Sequence, residues 1–304
     1  DPPAELHSRF EEALTTVRTY SGAEHAMLIG GRDVRAARQF DAKCPIDQRV
    51  VLGRFQAGDA THAAAAMASA RAAFPAWSTT PWTERVAILR RAVAHIEARV
   101  YELGAVLALE VGKNRMEALG EAQETADLIA YYCDQMEAND GYVREMARDP
   151  LRGVVSENTS ALKPHGVWVV IAPFHFPLAL AGGPAAAALV TGNTVVVKGA
   201  SDTPWAGRLL ADCVRDAGLP AGVFNYVAGP GREVGEALVS HSLTAGITFT
   251  GSVAVGMRLV RQMAGGAWPR PCIAEMGGKN PCIVTARADL DDAAAGIVRS
   301  AYGR

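Results

Sequence analysis

The chain has 304 residues, 49% of them hydrophobic and 20% charged, which is typical of about two globular domains with a sizeable core. Its 30 basic and 32 acidic residues give a net charge of -2, so it lacks the basic field that nucleic acid or an anionic membrane surface would require. The five cysteines are scattered, without a C-x-x-C pair. This pattern argues against a disulfide scaffold and a zinc site, so no metal is expected, and it favours a reducing, cytoplasmic compartment.

Residues 1–148 are predicted to be mainly helical. Ala60 to Phe74 is rich in alanine, which favours helix. From Val86 to Leu107, apolar residues recur at alternating steps of three and four. This stripe is typical of one amphipathic helix, or of two helices broken near Gly104, with Thr83 as a candidate N-cap. A further stripe runs from Leu119 to Met136. We interpret these stripes as core rather than as a cofactor site.

One apolar stretch is long enough to span a bilayer. Residues 166–197 contain no acidic or basic side chain. Pro173, Pro177 and Pro184 interrupt the stretch, and in lipid they would leave backbone groups unpaired. We therefore interpret it as a buried strand, a turn, a buried helix and a second buried strand.

The second part of the chain has a different pattern. Residues 149–164 are mixed polar and β-branched, which indicates a connecting strand or one arm of a hairpin. Residues 165–272 then alternate apolar strands with helices. The predicted strands are Val167–Ile171, Thr194–Val197, Val223–Val227 and Ile247–Thr250, and the predicted helices cover about 204–217 and begin near 233 and 252. Strands that are apolar on both faces and alternate with helices predict a doubly wound α/β fold, a parallel sheet covered on both sides.

In such a sheet, ligands bind at the carboxyl ends of the strands, so the segments after the strands carry the functional prediction. They are Ala172–Pro177 with His175 between two phenylalanines, Lys198–Ser201, the glycine loop 229–235, the glycine turn 251–256, and Glu275–Asn280. Each has a purely structural explanation: a tight turn, a solvated lysine, a packed histidine, or a glutamate that caps a helix or forms an ion pair. Together on one edge, a lysine, two glycine loops and a helix N-terminus suit a dinucleotide, although the spacing does not match G-x-G-x-x-G.

These motifs, in this order, resemble those of the aldehyde dehydrogenase superfamily over about residues 27–304. The matching segments are Ile171-Ala172-Pro173-Phe174-x-Phe176-Pro177, Thr194–Lys198, Phe249-Thr250-Gly251-Ser252-x-x-x-Gly256 and Glu275–Pro281. Within the superfamily, the chain is most similar to the 1-pyrroline-5-carboxylate (glutamate γ-semialdehyde) dehydrogenases of proline degradation. The segments that carry this finer resemblance are 131–136, 178–184 and 201–204.

The resemblance implies a Rossmann-like cofactor domain and a defined chemistry. A cysteine thiolate attacks an aldehyde, hydride passes to NAD or NADP, and water releases the acid from the thioester. Glu275 stands where the family has the base that activates water, and His175 stands where it has the oxyanion-hole asparagine. The implied cofactor-binding residues are Ile171, Ala172, Pro173 and Phe174 beneath the cofactor, Lys198, Ala200 and Ser201 near the ribose, Gly251 and Ser252 at the pyrophosphate, and Gly231, Gly235, Phe249, Val255, Met276 and Gly277.

The chain departs from the family pattern at three places. His175 replaces the asparagine, and Lys198–Ser201 replaces Lys-Pro-Ser-Glu. The lost glutamate binds the ribose hydroxyls in NAD-preferring relatives, so Ser201 permits NADP as well. Third, by the family's spacing the nucleophilic cysteine falls just beyond Arg304. We therefore expect residues 273–304 to open a truncated catalytic domain and the isolated chain to be inactive, with Cys272 and Cys282 packed on short strands.

Two alternatives remain at the level of sequence. The chain could be a non-catalytic binding protein built from part of an aldehyde dehydrogenase, or a dehydrogenase for another semialdehyde or an aliphatic aldehyde. The expected partners are a small aldehyde and, in the full-length protein, further copies of the chain. Residues 149–164 stand where the family has an intersubunit strand, so we expect a homo-oligomer.

Overall fold

A computed structural model describes residues 3–302. Five short strands follow the first helix, and four long helices follow those strands. In chain order these elements are α1 (Ala4–Arg18), β1 (Ala23–His25), β2 (Met27–Ile29), β3 (Arg32–Val34), β4 (Gln39–Lys43), β5 (Val51–Gln56), α2 (Ala60–Thr79), α3 (Trp82–Ala98), α4 (Val100–Val111) and α5 (Arg115–Ala138).

A two-stranded hairpin comes next, and strands alternate with helices after it. These elements are β6 (Val143–Met146), β7 (Asn158–Ala161), β8 (Val167–Ile171), α6 (Ala179–Val190), β9 (Thr194–Lys198), α7 (Pro204–Asp216), β10 (Phe224–Val227), a π-helical turn (Gly231–Gly235), α8 (Glu236–Ser240), β11 (Thr244–Gly251), α9 (Val253–Ala264), β12 (Cys272–Met276) and α10 (Leu290–Tyr302).

The main sheet has the strand order β12-β11-β8-β9-β10-β2-β3. Its first five strands are mutually parallel, and β2 and β3 extend it in antiparallel fashion. This confirms the predicted doubly wound α/β fold. Because the five strands are parallel, the segments that follow them all leave from the same edge, here called the carboxyl edge. The connections β8-α6-β9-α7-β10 run to one side of β8 and β11-α9-β12 lies on its other side, so the strand order reverses between β8 and β11.

The N-terminal part differs from the helical prediction in its five strands. Strands β1, β5 and β4 form a separate sheet, and β2 and β3 join the main one. The helix after the alanine-rich segment is present as α2, and the stripe from Leu119 to Met136 lies in α5. The hairpin alternative for residues 149–164 is the one observed, since β7 pairs with β6.

The long apolar stripe forms two helices, but the break is at Arg99 and not near Gly104. Gly104 lies inside α4, where a Cβ atom would come within 2.8 Å of Leu119 Cδ2. The glycine therefore serves helix packing. Thr83 is not the N-cap of α3, because Pro81 occupies that position and no side chain caps the helix there.

The apolar stretch 166–197 folds as β8, α6 and β9. Within residues 3–302, no helix combines the length and apolar character needed to cross a membrane. The five cysteines carry no disulfide. Cys272 begins β12 and is half-buried, whereas Cys282 is exposed in a segment without regular structure. The predicted packing of Cys282 on a strand is therefore wrong, since the chain leaves the sheet at Met276.

Candidate cofactor and active site

A groove of about 380 Å³ lies at the carboxyl edge, where the strand order reverses between β8 and β11. Such a reversal opens a crevice between the two outgoing loops, and in doubly wound sheets this crevice binds the ligand. The groove brings together both predicted catalytic residues and three predicted cofactor residues. It is lined by Glu124, His175, Phe176, Leu180, Thr250, Gly251, Glu275, Met276 and Gly277.

Glu275 reaches this groove because β12 pairs with β11 in register, with Glu275 opposite Thr250 and Met276 opposite Gly251. Along β12 the exposed residues alternate with half-buried ones, and Glu275 is on the exposed face. A carboxylate in contact with solvent is suited to take a proton from water. Glu124, an exposed residue of α5, lines the same groove and was not predicted. An exposed glutamate on an amphipathic helix gives no functional signal in a single sequence.

The turn after β8 carries His175 and is hydrogen-bonded to two other segments, the end of β9 and the start of α7. Ala172 donates its N–H to the Lys198 carbonyl at 3.2 Å, and the Thr203 hydroxyl donates to the Phe174 carbonyl at 3.1 Å. The His175 ring stands edge-on to the rings of Phe174 and Phe176, at 5.4 and 6.0 Å between centroids. This geometry suits both a packed histidine and one that presents an N–H to the groove. Before the turn, Ile171 is half-buried and Ala172 and Pro173 are buried.

The end of β9 holds Lys198 in the interior and not as a solvated strand end. Its relative exposure is 6%, and burial lowers its pKa to about 8 against the opposing charge of Asp202. Ala200 is half-buried beside it. The Ser201 hydroxyl donates to the Gly229 carbonyl at 2.9 Å, so its proton is engaged and its remaining capacity is as an acceptor.

A second groove, of about 580 Å³, adjoins this loop and is lined by Phe174, Ser201 and Asp202 among others. Phe174 is exposed at 58% and lines this second groove together with Ser201, while the next residue, His175, lines the first. The glycine loop after β10 forms a π-helical turn in which Gly231 is exposed and Gly235 buried. Neither glycine lines either groove.

The turn after β11 presents the N-terminus of α9. Ser252 is the N-cap, and its hydroxyl accepts the Val255 N–H at 3.4 Å. Phe249 is buried beneath the turn, where a Cβ on Gly251 would come within 2.6 Å of its ring. Gly256 has the same role against β12, since its Cβ would lie 2.4 Å from Met276 Sδ. The turn is thus compact, with Ser252 and Val255 exposed at its tip.

Two other helices that begin at this edge already have carboxyl caps. Glu121 of α5 accepts the N–H groups of Leu178 and Ala179 at the start of α6. Glu110 of α4 accepts those of Trp205 and Ala206 at the start of α7. Free helix N-terminal N–H groups bind phosphate. Since carboxyl groups occupy the N-termini of α6 and α7, the exposed N-terminus of α9 is, of these three, the one suited to a pyrophosphate.

The two capping glutamates are almost fully buried. Glu110 is 2% exposed and Glu121 is 1% exposed. Burial raises the pKa of Glu110 to about 8, although its two backbone hydrogen bonds act to lower it. Burial also raises the pKa of Glu121, and the charge of Lys113 opposes this. Neither residue was predicted, because their partners lie 57 to 96 residues away in sequence.

The fold and the groove define a doubly wound α/β protein whose ligand site combines a histidine, a glutamate and an open helix N-terminus. Residues 33–304 match the model of the aldehyde dehydrogenase family, and the chain belongs to that family. It is 41% identical over 300 residues to the 1-pyrroline-5-carboxylate dehydrogenase of Anoxybacillus flavithermus, a match that covers 97% of this chain and 57% of that protein. The chain therefore spans little more than half the length of this relative.

Solved structures of dehydrogenases superimpose on this chain. The 1-pyrroline-5-carboxylate dehydrogenase from Thermus with bound NAD superimposes with a TM-score of 0.92 at 34% identity, over 99% of this chain and 58% of that one. The NADP-dependent glyceraldehyde-3-phosphate dehydrogenase from Bacillus halodurans, complexed with NADP, superimposes with a TM-score of 0.85 at 32% identity, over 92% and 58%. The structural neighbours thus include proteins crystallised with either dinucleotide.

Proposed function

We propose that this chain forms the dinucleotide-binding part, and part of the active site, of an NAD(P)-dependent dehydrogenase that oxidises glutamate γ-semialdehyde to glutamate. The observation that carries the proposal is the groove between β8 and β11, which holds His175 and Glu275 beside the exposed N-terminus of α9. The relatives named 1-pyrroline-5-carboxylate dehydrogenase support the substrate.

The residues present fit a dinucleotide. Carboxyl groups fill the N-termini of α6 and α7, while α9 begins at a compact glycine turn that lets a pyrophosphate approach the backbone. When bound, the nicotinamide accepts hydride from the substrate carbon. Lys198, buried at the end of β9, adds a positive charge near the ribose side.

Two side chains of this chain carry out the remaining steps, His175 as a hydrogen-bond donor and Glu275 as a base. Attack of a thiolate on the aldehyde leaves negative charge on the carbonyl oxygen, and an N–H of His175 donates to that oxygen. After hydride transfer the substrate is a thioester. Glu275 takes one proton from water, so that hydroxide adds to the thioester carbon and the thiolate leaves. The net change is aldehyde, oxidised cofactor and water to acid, reduced cofactor and a proton.

Steady-state assays of the full-length protein test the proposal by following reduced nicotinamide. We expect glutamate γ-semialdehyde to give a higher kcat/KM than propionaldehyde or succinate semialdehyde. A preference for either of the others would contradict the substrate and leave the reaction class. No aldehyde-dependent reduction with any of the three would contradict the reaction class.

We also propose that the full-length protein is a homo-oligomer that uses the β6–β7 hairpin. The hairpin and its connection expose large apolar side chains, among them Met146 at 55%, Val155 at 85% and Leu162 at 68%. An exposed apolar surface of this kind is typical of an interface. Light scattering should report more than one chain per particle for the wild type and fewer for Val155→Asp.

A further inference from the structure

The start of α6 lacks a local cap. Its N-cap residue, Leu178, makes no side-chain hydrogen bond, although helices usually begin at a Ser, Thr, Asp or Asn that supplies one. A remote carboxylate replaces it: Glu121 Oε1 accepts the N–H groups of Leu178 at 2.9 Å and of Ala179 at 3.2 Å. The first turn of α6 is therefore fixed by α5.

Glu121 is itself held by a second charged residue. Lys113, in the connection between α4 and α5, donates from Nζ to Glu121 Oε2 at 2.5 Å, and the two side chains are 10% and 0% exposed. The same Nζ lies 3.3 Å from the centroid of the Phe176 ring. The pair thus contacts the chain on both sides of Pro177, immediately after His175.

Stability alone is a poor explanation for such an arrangement. Removing two charges from water offsets most of their mutual attraction, so apolar residues of similar volume often serve a core as well. Two features of this pair are specific instead: one oxygen receives both N–H groups of α6, and the ammonium group packs on the ring next to His175. Both features fix the path of residues 175–179.

We infer that Glu121, held by Lys113, is a positioning residue that sets the turn after β8 so that the His175 N–H points at the aldehyde oxygen. The inference rests on the proposed function, because it assigns His175 to the oxyanion. A donor that is misplaced by about 1 Å can lower turnover on the order of 10²-fold. Loss of the cap should therefore lower kcat and leave dinucleotide binding at α9 unchanged.

Two double variants of the full-length protein separate the cap from the charge. Lys113→Met with Glu121→Gln removes both charges but keeps a carbonyl oxygen that can accept the two N–H groups. Lys113→Met with Glu121→Leu removes the acceptor as well, and replaces the pair with apolar side chains of similar size. We expect the Leu variant to have a kcat on the order of 10²-fold lower than the Gln variant, which keeps the acceptor, and the Kd for the dinucleotide to be unchanged in both.

Ile96→Val is the control for a general loss of stability. Ile96 is fully buried in α3, outside the turn and its supports, so this variant should lower the unfolding midpoint and leave kcat unchanged. Hydrogen exchange gives a readout independent of catalysis: the amides of Leu178 and Ala179 should exchange faster in the Leu variant than in the Gln variant.

The outcomes are distinguishable. Aldehyde oxidation by the wild type with equal kcat in the Leu and Gln variants would overturn this inference and leave the proposed function. Equal exchange of the two amides in both variants would also overturn it, whatever the activity. A full-length wild-type protein without aldehyde oxidation would overturn the proposed function and, with it, the role of Glu121 in turnover.

Discussion

His25, the last residue of β1, should make the fold sensitive to acid. Its ring stacks on Phe55 at 4.7 Å between centroids, with 10° between the ring planes, and lies 5.5 Å from Trp205. Its Nε2 atom is buried, with no hydrogen-bond partner among the residues that the structure describes. Burial and, second, the charge of Arg208 lower the pKa of His25 from 6.5 to about 4.

The direction of this pH effect on stability follows from how many protons the folded and unfolded states bind. Between pH 6.5 and about 4 the unfolded chain binds a proton at His25 and the folded chain does not, so stability falls as the pH falls through this window. From about pH 7.5 to about pH 5, this one group lowers the free energy of unfolding by at most about 2 kcal/mol. The figure is an upper bound because the ring is only partly buried.

Urea unfolding at a series of pH values tests this in the wild type and in His25→Phe, which keeps an aromatic ring against Phe55 but does not titrate. We expect the variant to lose less stability than the wild type between these pH values, by up to the same amount. His165→Gln, at an exposed histidine, is the matched control and should follow the wild type. If the free energy of unfolding falls equally with pH in the wild type and in His25→Phe, the reasoning is refuted.

Three further predictions concern the site. Ser201→Glu should abolish NADP binding and keep NAD binding in calorimetric titration of this chain, because like charges a few ångströms apart repel by on the order of 1–4 kcal/mol; an unchanged affinity ratio would show that Ser201 does not face the ribose. In the full-length protein, His175→Leu should lower kcat by roughly 10²–10³-fold while His175→Asn, which keeps an N–H donor, retains it, and equal kcat in both would place the ring away from the aldehyde. The isolated chain should not oxidise aldehydes; activity that Cys272→Ala or Cys282→Ala removes would show that one of these cysteines is a nucleophile.

The sequence predicts the central fold well because its signals there are local. Strand β8 is a continuous apolar run bounded by Gly166 and a proline, and helix α7 begins at Pro204. Strands β1 to β3 have three residues each, too few for a periodic pattern. One local signal was nevertheless present: Gly30 and Gly31, with φ of 63° and 74°, form the two-residue turn between β2 and β3 that is typical of a hairpin.

The sequence could place a residue in the site only where that residue comes directly after a predicted strand. His175, Ser201, Gly251 and Glu275 could be placed on one edge because parallel strands end there. The residues that support this edge, such as the capping glutamates, could not be placed, because they lie on helices that are distant from it in sequence. Glu121 lies in the stripe region of α5, and nothing in a single sequence separates it from the solvated acids beside it.

The glutamate caps also account for the missing G-x-G-x-x-G. In the common dinucleotide fold, the glycines of that motif lie between the first strand and the helix that follows it. Without side chains there, a pyrophosphate can approach the N-terminus of that helix. Here the helix in that place is α6, and the Glu121 carboxylate already satisfies its first N–H groups. A glycine fingerprint there would open a site with no free donors. The glycines instead stand at the start of α9, where Gly251 and Gly256 keep the turn compact, so the helix that begins at glycines is the one whose first N–H groups no carboxyl group occupies.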